Sequence, residues 1–241
     1  EKYSRSGSMS LAGINQALNN AGVTFDFIGF DACLMATVET ALVAEQHADY
    51  LIGSEETEPG IGWYYTDWLT NLSANSSLPT LEIGKQIADS FSNACATTCY
   101  GQDTTLSVID LAELAYTVPS KMTAFARSTT DMIQNSQYQT VSNARSGVRQ
   151  FAASSRLNQV DLVDLADRIN TTEAKALAAA LRSCIKYNKS NISRAYGVSI
   201  YFPYESMSSV STATSMLNAI SFDSSYTKCI RSFASLAASG Q

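Results

Sequence analysis

The chain carries one histidine, His47, in 241 residues, so any chemistry that needs an imidazole base has a single candidate within it. None of its five cysteines, Cys33, Cys95, Cys99, Cys184 and Cys229, forms a C-x-x-C pair, and their number is odd. That indicates neither a zinc site nor a complete disulfide framework, and at least one thiol is free or paired outside the chain. No Lys/Arg cluster is present, and the net charge of −6 argues against nucleic acid or an anionic membrane as partner. No apolar run approaches the roughly 20 residues that cross a bilayer, and no signal peptide opens the chain. It begins Glu1-Lys2-Tyr3 without an initiator methionine, which fits a processed product or an excised piece, so that an export signal could have been removed upstream.

What remains is the composition of a globular protein, 45% hydrophobic and 16% charged, long enough to bury a sizeable core. Ser8 to Asn20 reads as a helix capped by Ser8 or Ser10 and stopped by Gly22. Phe25 to Phe30 reads as a strand covered on both faces, Thr37 to Ala48 as a helix, and Tyr50 to Gly53 as a second strand. After a polar loop, Ser54 to Gly62, come helices over Trp63 to Leu72 and Leu81 to Thr97. Thr104 to Ile109 is the third strand, and a helix opens near Asp110. Pro119 to Ala152 is mostly helical, Asp161 to Asn170 and Thr172 to Tyr187 are helices, Tyr196 to Phe202 is the last strand, and Ser225 to Ala238 is a closing helix. Ser206 to Ser215 reads as a surface segment. Strands separated by helices predict an α/β fold with a mainly parallel sheet and helices on both faces, and no linker divides residues 1–241 into domains. Four strands are few for so many helices, which implies further strands upstream of Glu1.

Cys33 stands at the end of the first strand, in Phe25-Asp26-Phe27-Ile28-Gly29-Phe30-Asp31-Ala32-Cys33. In open parallel sheets the carboxyl ends of the strands carry the ligand-binding loops. The following helix start would offer N–H groups and a positive dipole end to a thiolate or an oxyanion. A plain core cysteine in a strand-to-helix turn fits the position equally. Cys95 and Cys99, one helical turn apart, read as packing residues, as do Cys184 and Cys229, between which a disulfide stays open. His47 is excluded as the base: ten residues down the next helix at about 1.5 Å each, it points toward the opposite edge of the sheet, whereas a base must come within about 3 Å. It reads as a surface or helix-terminal residue.

Three blocks, Phe27-Ile28-Gly29-Phe30-Asp31-Ala32-Cys33-Leu34-Met35, then Gly53 to Gly60 with Gly62-Trp63-Tyr64-Tyr65, then Gly197 to Pro203, resemble the clostripain-like cysteine peptidases, relatives of caspases, gingipains and legumain. The resemblance implies a caspase-like fold, a single peptidase domain over residues 1–241, and a cysteine endopeptidase that is secreted, cell-surface or periplasmic. It implies Cys33 as the nucleophile and Asp31 as the acidic residue of the pocket for the residue before the cut, which would suit Arg or Lys. Ser54, Glu55, Glu56, Thr57, Trp63 and Tyr64 would line the same cleft, while Ile61 stands where many relatives carry a second acidic residue. The catalytic histidine would lie on a separate light chain cut from the same precursor. No cofactor is required for such chemistry; calcium is the one ion the resemblance and the Glu55, Glu56, Glu58 loop allow. The partners implied are a peptide or protein substrate and the light chain. The alternative is an inactive relative that keeps the fold as a binding module.

Overall fold

The computed structural model describes residues 8–204 and 207–239. Helix α1 (Leu11–Ala21) is capped by Ser10, whose hydroxyl accepts from the Gly13 N–H, and ends at Gly22 in the left-handed region. Strand β1 (Phe25–Gly29) follows, then α2 (Val38–Ala44), β2 (Ala48–Gly53), α3 (Tyr65–Ala74) and α4 (Thr80–Thr98). Next come β3 (Thr105–Asp110), α5 (Leu111–Met132), α6 (Tyr138–Gly147), β4 (Gln150–Phe151), β5 (Gln159–Asp161), α7 (Leu162–Ile169) and α8 (Thr172–Cys184). Strands β6 (Ile185–Ser190) and β7 (Ser199–Tyr201) and helices α9 (Met207–Ala219) and α10 (Ser224–Ser239) follow, and two short turns, Ile133–Gln137 and Ala153–Ser155, complete the described elements.

The architecture is α/β, with the main sheet in the order β1-β2-β3-β6. Strands β1 and β2 are parallel, but β3 runs antiparallel to both β2 and β6, so the sheet is mixed. Two helices rather than one separate β2 from β3, and an even number of traversals reverses the strand that follows. The predicted helix Thr172 to Tyr187 stops at Cys184, and Ile185 begins β6. The last predicted strand joins not this sheet but a second, antiparallel one, β4-β5-β7. Of the predicted surface segment, residues 207–215 form part of α9; Ser206 lies outside the described residues.

Each face of the main sheet has its own core. Leu51 and Ile109, opposite one another on β2 and β3, are buried among α2, α5, α8 and α10, while the adjacent pair Ile52 and Val108 is buried with Trp63, Trp68, Ile87 and Phe91 on the α3–α4 side. Period-two alternation over continuous apolar runs delivers both faces at once. Strand β1 is the edge of this sheet, and Phe25 on it is exposed. Among the described residues all five cysteines are free, so Cys184 and Cys229 pack as buried thiols.

Candidate active site

Phe30 N–H donates to the Ile52 carbonyl at 3.0 Å, the last rung before the chain leaves the sheet at the carboxyl end of β1. Leu34 then takes φ 63°, in the left-handed region that costs a side-chain-bearing residue about 1 kcal/mol. The strain is held by its surroundings: Leu34 N–H donates to Glu56 O, Ala36 N–H to Ser54 O, and Ser199 N–H to Ala36 O at 2.8 Å. Residues 34–37 thus bridge the end of β2 to β7, and Cys33 is left exposed on the outer side of the turn.

Helix α2 begins only at Val38, and the Thr37 hydroxyl caps it by accepting from Thr40 N–H. The expected placement of a helix N-terminus at the thiol is therefore replaced by a loop contact: Glu58 N–H donates to Cys33 Sγ at 3.2 Å. His47, expected as a surface or helix-terminal residue, follows the end of α2, its N–H donating to Ala44 O, and is 5% exposed, with Nε2 2.7 Å from Asn15 Oδ1. Its carbonyl accepts from Phe25 N–H at the start of β1, whereas Cys33 lies past the other end of that strand. The reading that this imidazole cannot reach the thiol holds.

The Asp31 carboxylate is exposed and faces the loop after β2. Its Oδ1 accepts from Trp63 N–H and its Oδ2 from the Tyr65 hydroxyl, both at 3.0 Å. Gly62, at φ 64°, passes so close that a Cβ there would lie 3.0 Å from both oxygens. The Trp63 indole, 7% exposed, fills the space over Gly29 and donates through Nε1 to Glu58 Oε1 at 3.4 Å. Burial, with the neighbouring Asp31 carboxylate adding to it, pushes the Glu58 carboxyl up to about 8.

The other loop carboxylates point away from the thiol. Ser54 is fully buried, its hydroxyl 2.8 Å from Thr105 Oγ1, and Thr105 Oγ1 also accepts from Glu55 N–H and Glu56 N–H. Glu55, 1% exposed, accepts from Gly197 N–H through Oε2 and faces the Asp161 carboxyl. Burial first, then that neighbour, pushes Glu55 well above the ordinary range, while Asp161, which caps α7 and accepts from Tyr196 N–H, rises to about 6. Glu56 Oε1 accepts from Ala152 N–H. Thr57 and Tyr64 are exposed. Cys33, Asp31, Trp63 and Glu58 are thus linked by hydrogen bonds, and Ser54, Glu55 and Glu56 hold the loop to Thr105, Gly197 and Ala152. The three loop glutamates diverge: Glu55 faces Gly197, Glu56 faces Ala152 and Glu58 faces Trp63. Among the described residues no group of three or more His, Cys, Asp or Glu side chains is placed to hold a metal ion.

Glu58 was legible in the sequence only as one more loop carboxylate; the missed partners Thr105, Asp161 and Gly197 are 49 to 142 residues from the groups they hold.

An exposed thiol at the carboxyl end of a strand, with a carboxylate beside it under an aromatic loop, defines a thiol hydrolase on an α/β scaffold. Residues 3–235 match the clostripain family, and the chain belongs to it: a cysteine peptidase, hydrolysing peptide bonds. No curated protein matches the chain. Among solved structures it is similar to a clostripain from Bacteroides thetaiotaomicron in complex with a peptide inhibitor, at 18% identity and a TM-score of 0.62, covering 82% of this chain and 87% of that one. It is similar to an inactive zymogen C11 protease from Parabacteroides distasonis, at 20% identity and a TM-score of 0.68, covering 92% of this chain and 65% of that one. A secreted C11 cysteine protease from Bacteroides thetaiotaomicron with an irreversible peptide inhibitor is 25% identical, covering 90% of this chain and 64% of that one, at a TM-score of 0.62. These likenesses establish the caspase-like fold. No helix among the described residues is long and apolar enough to cross a membrane.

Proposed function

We propose that this chain is the nucleophile-bearing part of a secreted endopeptidase that cuts after Arg or Lys. The observation that carries the reading is the pairing of an exposed Cys33 thiol with the exposed Asp31 carboxylate, which Trp63 N–H and the Tyr65 hydroxyl hold in place at the same sheet edge. The Cys33 thiolate attacks the peptide carbonyl, the amine leaves with a proton, and water hydrolyses the acyl-enzyme. Asp31 orients the cationic side chain of the residue before the cut, since a charge-assisted bond in a partly desolvated cleft selects for it. Trp63 and Tyr64 wall the cleft, Thr57 lies at its rim, and Ser54, Glu55 and Glu56 act through the loop they hold.

The base is a histidine from a light chain of the same precursor. Two features support that partner. His47 is buried by the start of β1, and among the described residues β1 is an edge strand with Phe25 exposed, while α1 has no buried residue. An unpaired edge of this kind accepts a further strand.

The test is labelling with a lysyl or arginyl chloromethyl ketone, read by mass spectrometry. Modification of Cys33 is expected, lost in Cys33→Ala, and at least tenfold slower with an uncharged side chain in the reagent. An unmodified Cys33 would overturn the peptidase mechanism; equal rates for charged and uncharged reagents would overturn the basic preference alone.

A further inference from the structure

Glu58 is tied to both halves of the proposed site. Its backbone N–H donates to Cys33 Sγ, and its side chain reaches back beneath the loop to Asp31, with Trp63 donating to both carboxyls. Its Oε1 accepts from the indole, but Oε2 is buried with no partner. A buried carboxylate oxygen left without a donor costs about 1 to 3 kcal/mol or more. The cost vanishes if Oε2 carries a proton and donates it toward Asp31, whose oxygens otherwise meet only donors.

We propose that Glu58 is a specificity-determining residue of this cleft: with Asp31 it forms one carboxyl pair that holds a proton when empty and releases it to solvent when a cationic substrate side chain enters. The inference rests on the peptidase reading above and goes beyond it in making recognition of the basic residue a proton exchange. Breaking the Glu58 O–H bond leaves a second carboxylate for the guanidinium or ammonium, and the proton leaves to bulk water. The groups facing Glu58 are Asp31 from the end of β1, Tyr65 from α3, Cys95 from α4, and Cys33 against its backbone. None of these is a cation, so nothing there opposes proton retention in the empty cleft. Burial and Asp31 together hold the Glu58 proton up to about pH 8.

The experiment compares kcat/KM for two peptides that differ only in Arg or citrulline before the cut, from pH 6 to 9, so that titration of the thiol and its base cancels in the ratio. Below about pH 8 the Arg/citrulline ratio is expected to rise up to about tenfold per pH unit, levelling above it, and in Glu58→Gln the rise is lost. A second measurement needs no Glu58 variant. Calorimetry of the Arg peptide binding to full-length Cys33→Ala protein at pH 7, in buffers of different ionisation enthalpy, should find about one proton released. A ratio independent of pH, a rise that persists in Glu58→Gln, or no released proton would overturn the role of Glu58 while leaving the peptidase reading standing. Cleavage of neither peptide would overturn both.

Discussion

Gly62 shows how closely the site is determined at the scale of one residue. Its φ of 64° and the 3.0 Å clearance to both Asp31 oxygens leave no place for a Cβ, so Gly62→Ala must move the carboxylate or the loop. Strain of about 1 to 2 kcal/mol at a positioning residue corresponds to roughly a tenfold loss of kcat/KM on basic substrates, and it lowers the stability to unfolding by a similar amount. A steady-state comparison of basic and neutral substrates checks this. Thr105 is the converse case, a structural residue that sequence reading assigned only to a strand. Its hydroxyl accepts from two loop N–H groups and meets Ser54, so Thr105→Val, which keeps the shape, strands buried donors and is expected to cost about 1 to 3 kcal/mol in denaturant unfolding. That Cys33 and Asp31 belong together was legible because only Ala32 separates them; that Glu58 joins them was not, because the fold of the loop decides which of three glutamates turns toward Trp63.

At the scale of elements, α4 lies on the sheet through Gly84. A Cβ there would meet Val108 at 2.9 and 3.0 Å. Gly84→Ala gains up to about 1 kcal/mol of helix propensity, but overpacking against a β-branched side chain costs about 1 to 3 kcal/mol. The overpacking wins, and a lower thermal midpoint is expected, by roughly 2 to 4 °C for each net kcal/mol. The helices and the three long strands were legible because caps, Gly stops and apolar runs are local signals. Ser10, Thr37, Asp110, Asp161 and Thr171 each cap a helix with their own side chain. The direction of β3 and the identity of β6 were not. Ile185-Lys186-Tyr187-Asn188 continues the composition of α8, and only pairing with β3 makes it a strand.

Over the whole molecule, several carboxyls keep their protons because they are buried. Glu58 rises from 4.5 to about 8, Asp161 from 3.8 to about 6, and burial raises Glu39 and Glu55 as well. Between about pH 4.5 and 8 the folded protein therefore binds more protons than the unfolded chain, and stability falls as pH rises through that window. The thermal midpoint is expected to be higher at pH 5 than at pH 8, and Glu55→Gln, which keeps a neutral side chain beside Asp161, to flatten the difference. A midpoint that rises over the same range would contradict this.

By itself the sequence determined the α/β class, the thiol at the end of β1, the carboxylate two residues before it, and the uselessness of His47 as a base. All of these follow from short-range order: periodicity, a strand end, and the rise of a helix. Tertiary structure alone decided that β3 runs backward, that Glu55 and Glu56 hold the loop from beneath, and that Glu58 turns to Asp31. The first two depend on pairings and hydrogen bonds that span 49 to 142 residues, the third on loop contacts 5 to 32 residues apart, and in each case packing sets the partner and no local pattern records it.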